Sequence, residues 1–128
     1  MPRGIATRIM LALLITILTL TLKAWPVRAS GSIFIRADGR VDPSTASIKN
    51  VNNVTYILTG NINESIIVER DNIIIDGAGY TIQGKESGRG IDLTGRSNVT
   101  IKNVNVEAFF NGIYLWYSTK NIIYGNNI

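Results

Sequence analysis

Gly90-Ile-Asp-Leu-Thr-Gly-Arg-Ser-Asn-Val-Thr-Ile-Lys-Asn, residues 90–103, is a phrase that the chain repeats. Its first half returns as Gly112-Ile-Tyr-Leu and has an earlier counterpart in Ser65-Ile-Ile-Val. Its second half matches Asn72-Ile-Ile-Ile-Asp-Gly and Asn121-Ile-Ile-Tyr-Gly-Asn. The short matches begin at 65, 90 and 112, and the Asn-led matches at 72, 98 and 121. Steps of 22 to 26 residues mark a solenoid, in which each repeat buries its apolar face only against its neighbours.

Laying the repeats over one another predicts the inward columns. Ile66, Ile91 and Ile113 share one position, and Val68, Leu93 and Leu115 share the position two residues on. Ile73, Val99 and Ile122 form a third column, and Ile75, Ile101 and Tyr124 a fourth. Tyr80, Val104 and Ile128 form a fifth, with Ile82 and Val106 in a sixth. Apolar residues two apart lie on one face of a strand, so each coil is expected to hold three short strands facing a common axis. Ile67, Asp92 and Tyr114 then share an outward column, and Glu69, Thr94 and Trp116 the next. Asn72, Asn98 and Asn121 stand at the turn before the second strand. Stacked carboxamides bond along such a column, and asparagine tolerates the left-handed backbone of a corner. These three are expected to be structural rungs.

The remaining stretches frame the repeats. Residues 1–29 have the layout of a secretory signal peptide, with Arg3 and Arg8 leading a 14-residue apolar run from Ile9 to Leu22. Val27-Arg28-Ala29 puts small residues at the cleavage positions before Ser30, and the run is shorter than the roughly 20 residues of a membrane span. An exported, periplasmic or cell-surface protein is expected, touching a membrane only through this segment if it is not removed. Residues 30–63 are predicted to form N-terminal cap strands that cover an otherwise open sheet edge, and residues 64–128 the repeats proper. The last repeat breaks off at Ile128 without a polar cap, which predicts an N-terminal piece whose further coils belong to a longer chain.

Composition removes several function classes. Of 13 Lys and Arg, four lie in residues 1–29, leaving nine against nine Asp and Glu, so there is no basic footprint for nucleic acid. The chain has no Cys and no His, and both Met residues, Met1 and Met10, lie in the leader. Disulfides, thiol and imidazole catalysis, and soft-metal ligation therefore have no residues to use, and no cofactor is expected.

Coils written as G-I-x-L, N-x-x-I and N-x-I resemble the right-handed parallel β-helix repeats of the pectate-lyase-like superfamily. The likeness extends to its branch of NosD-like proteins and carbohydrate-binding and sugar-hydrolase (CASH) domains. Gly90 to Asn103, Gly112 to Leu115 and Asn121 to Ile128 carry it, and Ile75-Asp-Gly-Ala-Gly-Tyr-Thr-Ile-Gln-Gly is similar to the first full coils of such proteins. The resemblance implies an all-β fold, a single-stranded right-handed parallel β-helix of about three coils. For function it implies an extracellular carbohydrate-binding or scaffold module. A polysaccharide hydrolase or lyase, and a NosD-like periplasmic accessory protein for copper-enzyme maturation, are the alternatives. The copper role would require ligands that these residues do not supply.

The outward face of the first strands offers the candidate site. Glu69, Asp92, Tyr114 and Trp116 fall close together across consecutive coils, aromatic faces beside carboxylates, as a saccharide surface requires. Glu69 and Asp92 are expected about 8 Å apart, within the range of an inverting glycosidase pair. Asp76-Gly-Ala-Gly is read as a turn, because no helix follows to make it a phosphate loop. Asn53-Val-Thr, Asn63-Glu-Ser and Asn98-Val-Thr each fit the N-glycosylation pattern.

Overall fold

The structure, a computed structural model, describes residues 31–128; the expected leader, residues 1–29, lies outside them. Among the described residues every regular element is a strand. In chain order they are β1 (Ile33–Ile35), β2 (Val41–Asp42), β3 (Ile48–Val51), β4 (Thr55–Leu58), β5 (Ile66–Val68) and β6 (Ile74–Asp76). There follow β7 (Thr81–Gln83), β8 (Arg89–Asp92), β9 (Thr100–Lys102), β10 (Asn105–Glu107), β11 (Asn111–Tyr114) and β12 (Ile122–Tyr124). The protein is all-β, and its long-range strand pairing is parallel. The chain visits three sheets in turn and lays each pass against the one before, an arrangement compatible with a β-solenoid. The first sheet runs β11-β8-β5-β1-β2, the second β12-β9-β6-β4-β3, and the third pairs β10 with β7.

Register follows from burial. Ile33, Ile66, Ile91 and Ile113 stand opposite one another in the first sheet. Tyr56, Ile75, Ile101 and Ile123 do so in the second, and Ile62, Ile82 and Val106 in the third. All of these except Ile113 and Ile123 are buried, in one continuous core with Leu58, Val68, Leu93, Val99 and Val104. Slipping any strand by one residue would turn its apolar set outward. Gly90 is required at the corner before Ile91, since a Cβ there would fall 2.4 Å from the Gly112 carbonyl oxygen and 2.6 Å from Val106 Cγ1.

The first pass reaches further back than the sequence suggested. β1 and β4 are stacked members of the sheets. The strands that cover the sheet margins are β2, antiparallel to β1, and β3, antiparallel to β4. The Tyr56 hydroxyl donates to the Gly39 carbonyl at 2.5 Å, so the one phenol in the core has its partner. At the opposite margins β11 and β12 each have a neighbour on one side only, and Leu115, Ile122, Tyr124 and Ile128 are exposed there.

Two expected columns shift by a residue. Ile122 stands opposite Thr100, Ile123 opposite Ile101 and Tyr124 opposite Lys102, so Ile123 takes the inward place expected for Tyr124. Asn105 bridges Asn127, which sets Ile128 over Val106 and not over Val104. The last pass keeps one step of 22 residues throughout, from Ile91 to Ile113, Ile101 to Ile123 and Asn105 to Asn127. Tyr80 is exposed because four residues separate β6 from β7 where two separate β9 from β10, and the longer loop carries it out of the core. Ile101→Ala should cost about 2–5 kcal/mol in urea unfolding, whereas Ile122→Ala should stay within about 0.5 kcal/mol. Equal losses would contradict this register.

Candidate functional site

The outer face of the first sheet is assembled from residues that alternate with the core. Phe34, Ile67, Asp92 and Tyr114 stand in one register column. Two arginines lie across it. Arg36 sits over the Phe34 ring at 4.0 Å, and it bonds Asp42 Oδ2 at 2.7 and 3.0 Å and Glu69 Oε1 at 3.0 Å. Arg89 covers the Tyr114 ring at 3.4 Å and bonds Asp92 Oδ2 at 2.8 Å. Each arginine thus combines a cation–π contact with a charge-assisted hydrogen bond. The carboxylates hold both guanidiniums above their ordinary pKa, Asp42 leading at Arg36 and Asp92 at Arg89.

This arrangement engages the carboxylates proposed for chemistry, Asp92 through both oxygens and Glu69 through Oε1. Asp92 Oδ1 accepts the Thr94 amide at 2.9 Å and the Thr94 hydroxyl at 2.5 Å, and Oδ2 accepts Arg89. Partial burial pushes the Asp92 carboxyl up, but the Thr94 and Arg89 donors outweigh it and leave its pKa below the usual value. A group so held is an ionised acceptor near neutral pH, the opposite of a general acid. Glu69 shares Arg36 with Asp42, whereas Asp92 is bonded to Arg89. Among the described residues, no group of three or more carboxylates gathers as a metal site.

The aromatic residues divide differently. Tyr114 offers at most one ring face, because Arg89 occupies the other. Trp116 is 54% exposed and meets Tyr117, 84% exposed, edge to face at a centroid separation of 5.2 Å. Tyr117 was not singled out from the sequence. Its backbone lies in the left-handed region, φ 49°, which breaks strand alternation and turns two successive aromatic rings to solvent. Beside them an open recess of about 440 Å³ is lined by Leu115, Tyr117, Ser118, Thr119, Lys120 and Asn121. Two adjacent exposed rings can stack on an apolar sugar face.

The asparagines at the corners occupy two kinds of place. Asn98 Nδ2 donates to Asn72 Oδ1 at 3.0 Å, and both residues have left-handed backbones, φ 56° and 58°. The Ser97–Thr119 bridge puts Lys120, φ 56°, in the third such corner. Asn121 falls one position on, at the register of Val99, and its Oδ1 accepts the Val99 amide at 2.9 Å. Asn126 repeats the device, accepting from the Val104 amide at 3.0 Å and donating to the Ile101 carbonyl at 2.9 Å. The Asp76 loop is a self-bonded turn, with Asp76 Oδ1 accepting the Ala78 amide at 2.9 Å.

The chain matches no protein-family model, no curated protein and no solved structure.

The lowered pKa of Asp92 sets a pH signature. Its contribution to stability is present above its unfolded pKa of about 3.9 and is lost as pH falls through the lower folded value. Asp92→Asn should therefore reduce stability at pH 7 and flatten the decline of urea midpoints as pH falls below about 4. Parallel acid limbs in the two proteins would show that Asp92 is not so held.

Proposed function

We propose that this chain is an exported right-handed parallel β-helix of the pectate-lyase-like, NosD-like and CASH kind, serving as an extracellular polysaccharide-binding or scaffold module. Three parallel sheets visited in turn and the apolar columns between them support the architecture. Right-handedness follows from the strong bias of parallel crossovers. The leader read in residues 1–29 supports export.

The observation that carries the binding assignment is the Trp116–Tyr117 pair, two exposed rings at 85°. Within the four-residue strip expected from the sequence, Trp116 becomes the centre. Beside it Arg89 bonds Asp92 and covers one face of the Tyr114 ring, and Glu69 belongs to the Arg36 cluster. Binding is the best-supported role, because both carboxylates that could act as acid and base are tied to arginines.

The full chain should retain polysaccharides in affinity electrophoresis and on a glycan array. Trp116→Ala should weaken that retention about tenfold, a loss of about 1.4 kcal/mol, with Asp92→Asn much milder. Absence of any glycan binding, or binding indifferent to Trp116, would remove the assignment.

A further inference from the structure

The fold treats the three glycosylation sequons unequally. In Asn98-Val99-Thr100, the Asn98 carboxamide is bonded to Asn72 at 3.0 Å, Val99 is fully buried and Thr100 belongs to β9, its amide bonded to the Ile73 carbonyl at 2.9 Å. An incoming sugar would meet a carboxamide already engaged and a backbone locked in a parallel ladder. In Asn53-Val54-Thr55, the Asn53 side chain lies so close to Gly39 that a Cβ on that glycine would fall 2.5 Å from Asn53 Cγ. Its Oδ1 accepts Asn50 Nδ2 at 2.7 Å, its amide donates to Asn50 Oδ1 at 2.8 Å, and its carbonyl accepts Arg70 Nε at 3.1 Å. That asparagine closes the β3–β4 turn.

Asn63-Glu64-Ser65 is different at each point. It lies between the Ile62 bridge and β5, outside any strand. Ile62 is buried, so strand alternation turns Asn63 to the outside, and both Asn63 and Glu64 are exposed. The Asn63 carboxamide makes no hydrogen bond among the described residues. It stands at the wall of an open groove of about 920 Å³, shared with Glu64, Ser65 and Lys85. A substituent on the Asn63 carboxamide would displace no hydrogen bond among the described residues.

We infer that Asn63 is an N-glycan attachment site, and that Asn53 and Asn98 are sequons in pattern only, their side chains committed to the fold. The co-substrate is a lipid-diphosphate-linked oligosaccharide, brought by a transferase acting on extracytoplasmic proteins; the setting therefore rests on the export reading above. Asn63 Nδ2 forms a bond to the anomeric carbon, the bond from that carbon to the phosphate oxygen breaks, and the lipid diphosphate leaves with the electron pair. The displaced amide proton passes to a base of the transferase.

The test uses the purified, folded full chain with a purified oligosaccharyltransferase and lipid-linked oligosaccharide, alongside synthetic peptides spanning each sequon. Site occupancy is read by mass spectrometry of the digested products. All three peptides should accept the sugar, while the folded chain should accept it at Asn63 and lose it completely in Asn63→Gln and in Ser65→Ala. Modification of folded Asn53 or Asn98 as readily as Asn63 would overturn the assignment, as would an unmodified Asn63 in the chain or in its own peptide. Export is read separately by fractionating an expressing host, so a chain that stays inside counts against the proposed setting and not against the acceptor site.

Discussion

Parallel strands bonded only to the pass before and the pass after impose one demand: equivalent positions must meet as the chain returns. Each return places a backbone about 4.8 Å above the last, so an aliphatic side chain is buried only if another lies in the same column. Ile33, Ile66, Ile91 and Ile113 satisfy this in the first sheet, and Tyr56, Ile75, Ile101 and Ile123 in the second. The rest of the structure exists to keep that return in register. β2 and β3 cover one pair of margins, and the glycine before Ile91 lets successive corners approach within contact distance.

The polar residues hold the corners that the columns leave behind. Left-handed backbones recur at Asn72, Asn98 and Lys120, and where asparagines are stacked one carboxamide bonds the next. Asp71 ties the same corner by accepting the Ser97 amide at 3.0 Å and pairing with Arg96 at 3.4 Å. On the outer face Arg36 and Arg89 each pin an aromatic ring and a carboxylate together. These exposed pairs contribute little stability singly. Their consequence is chemical, since they engage carboxylate oxygens of Asp42, Glu69 and Asp92.

Much of this architecture was legible in the chain. The two-residue spacing of Ile91 and Leu93, repeated at Ile66 and Val68, fixes which face is apolar, and the structure stacks those residues. The second strand of the last pass was not legible from the same cue. Asparagine favours a left-handed corner, so Asn121 was the natural anchor, yet Lys120 takes the corner and Asn121 lies one place on. The 22-residue step from Gly90 to Gly112, carried through the whole pass, would have given the observed register. At the outer face, Asp92 reads as free because Arg89, three residues earlier in the same strand, belongs on the opposite side of a regular strand. The corner at Gly90, buried together with Ile91, breaks that alternation and brings Arg89 round to Asp92. Tyr117 was hidden by a different break in alternation: its own left-handed backbone makes two neighbours face the same way.

The fold stands on columns of touching methyl groups, and these are directly observable. Methyl-resolved NMR of the isoleucine-labelled chain should give cross-peaks joining Ile66 to Ile91, Ile91 to Ile113 and Ile101 to Ile123, with none joining Ile101 to Ile122. A spectrum in which Ile91 lacks both of its neighbours, or in which Ile122 replaces Ile123 against Ile101, would contradict the stacked register described above.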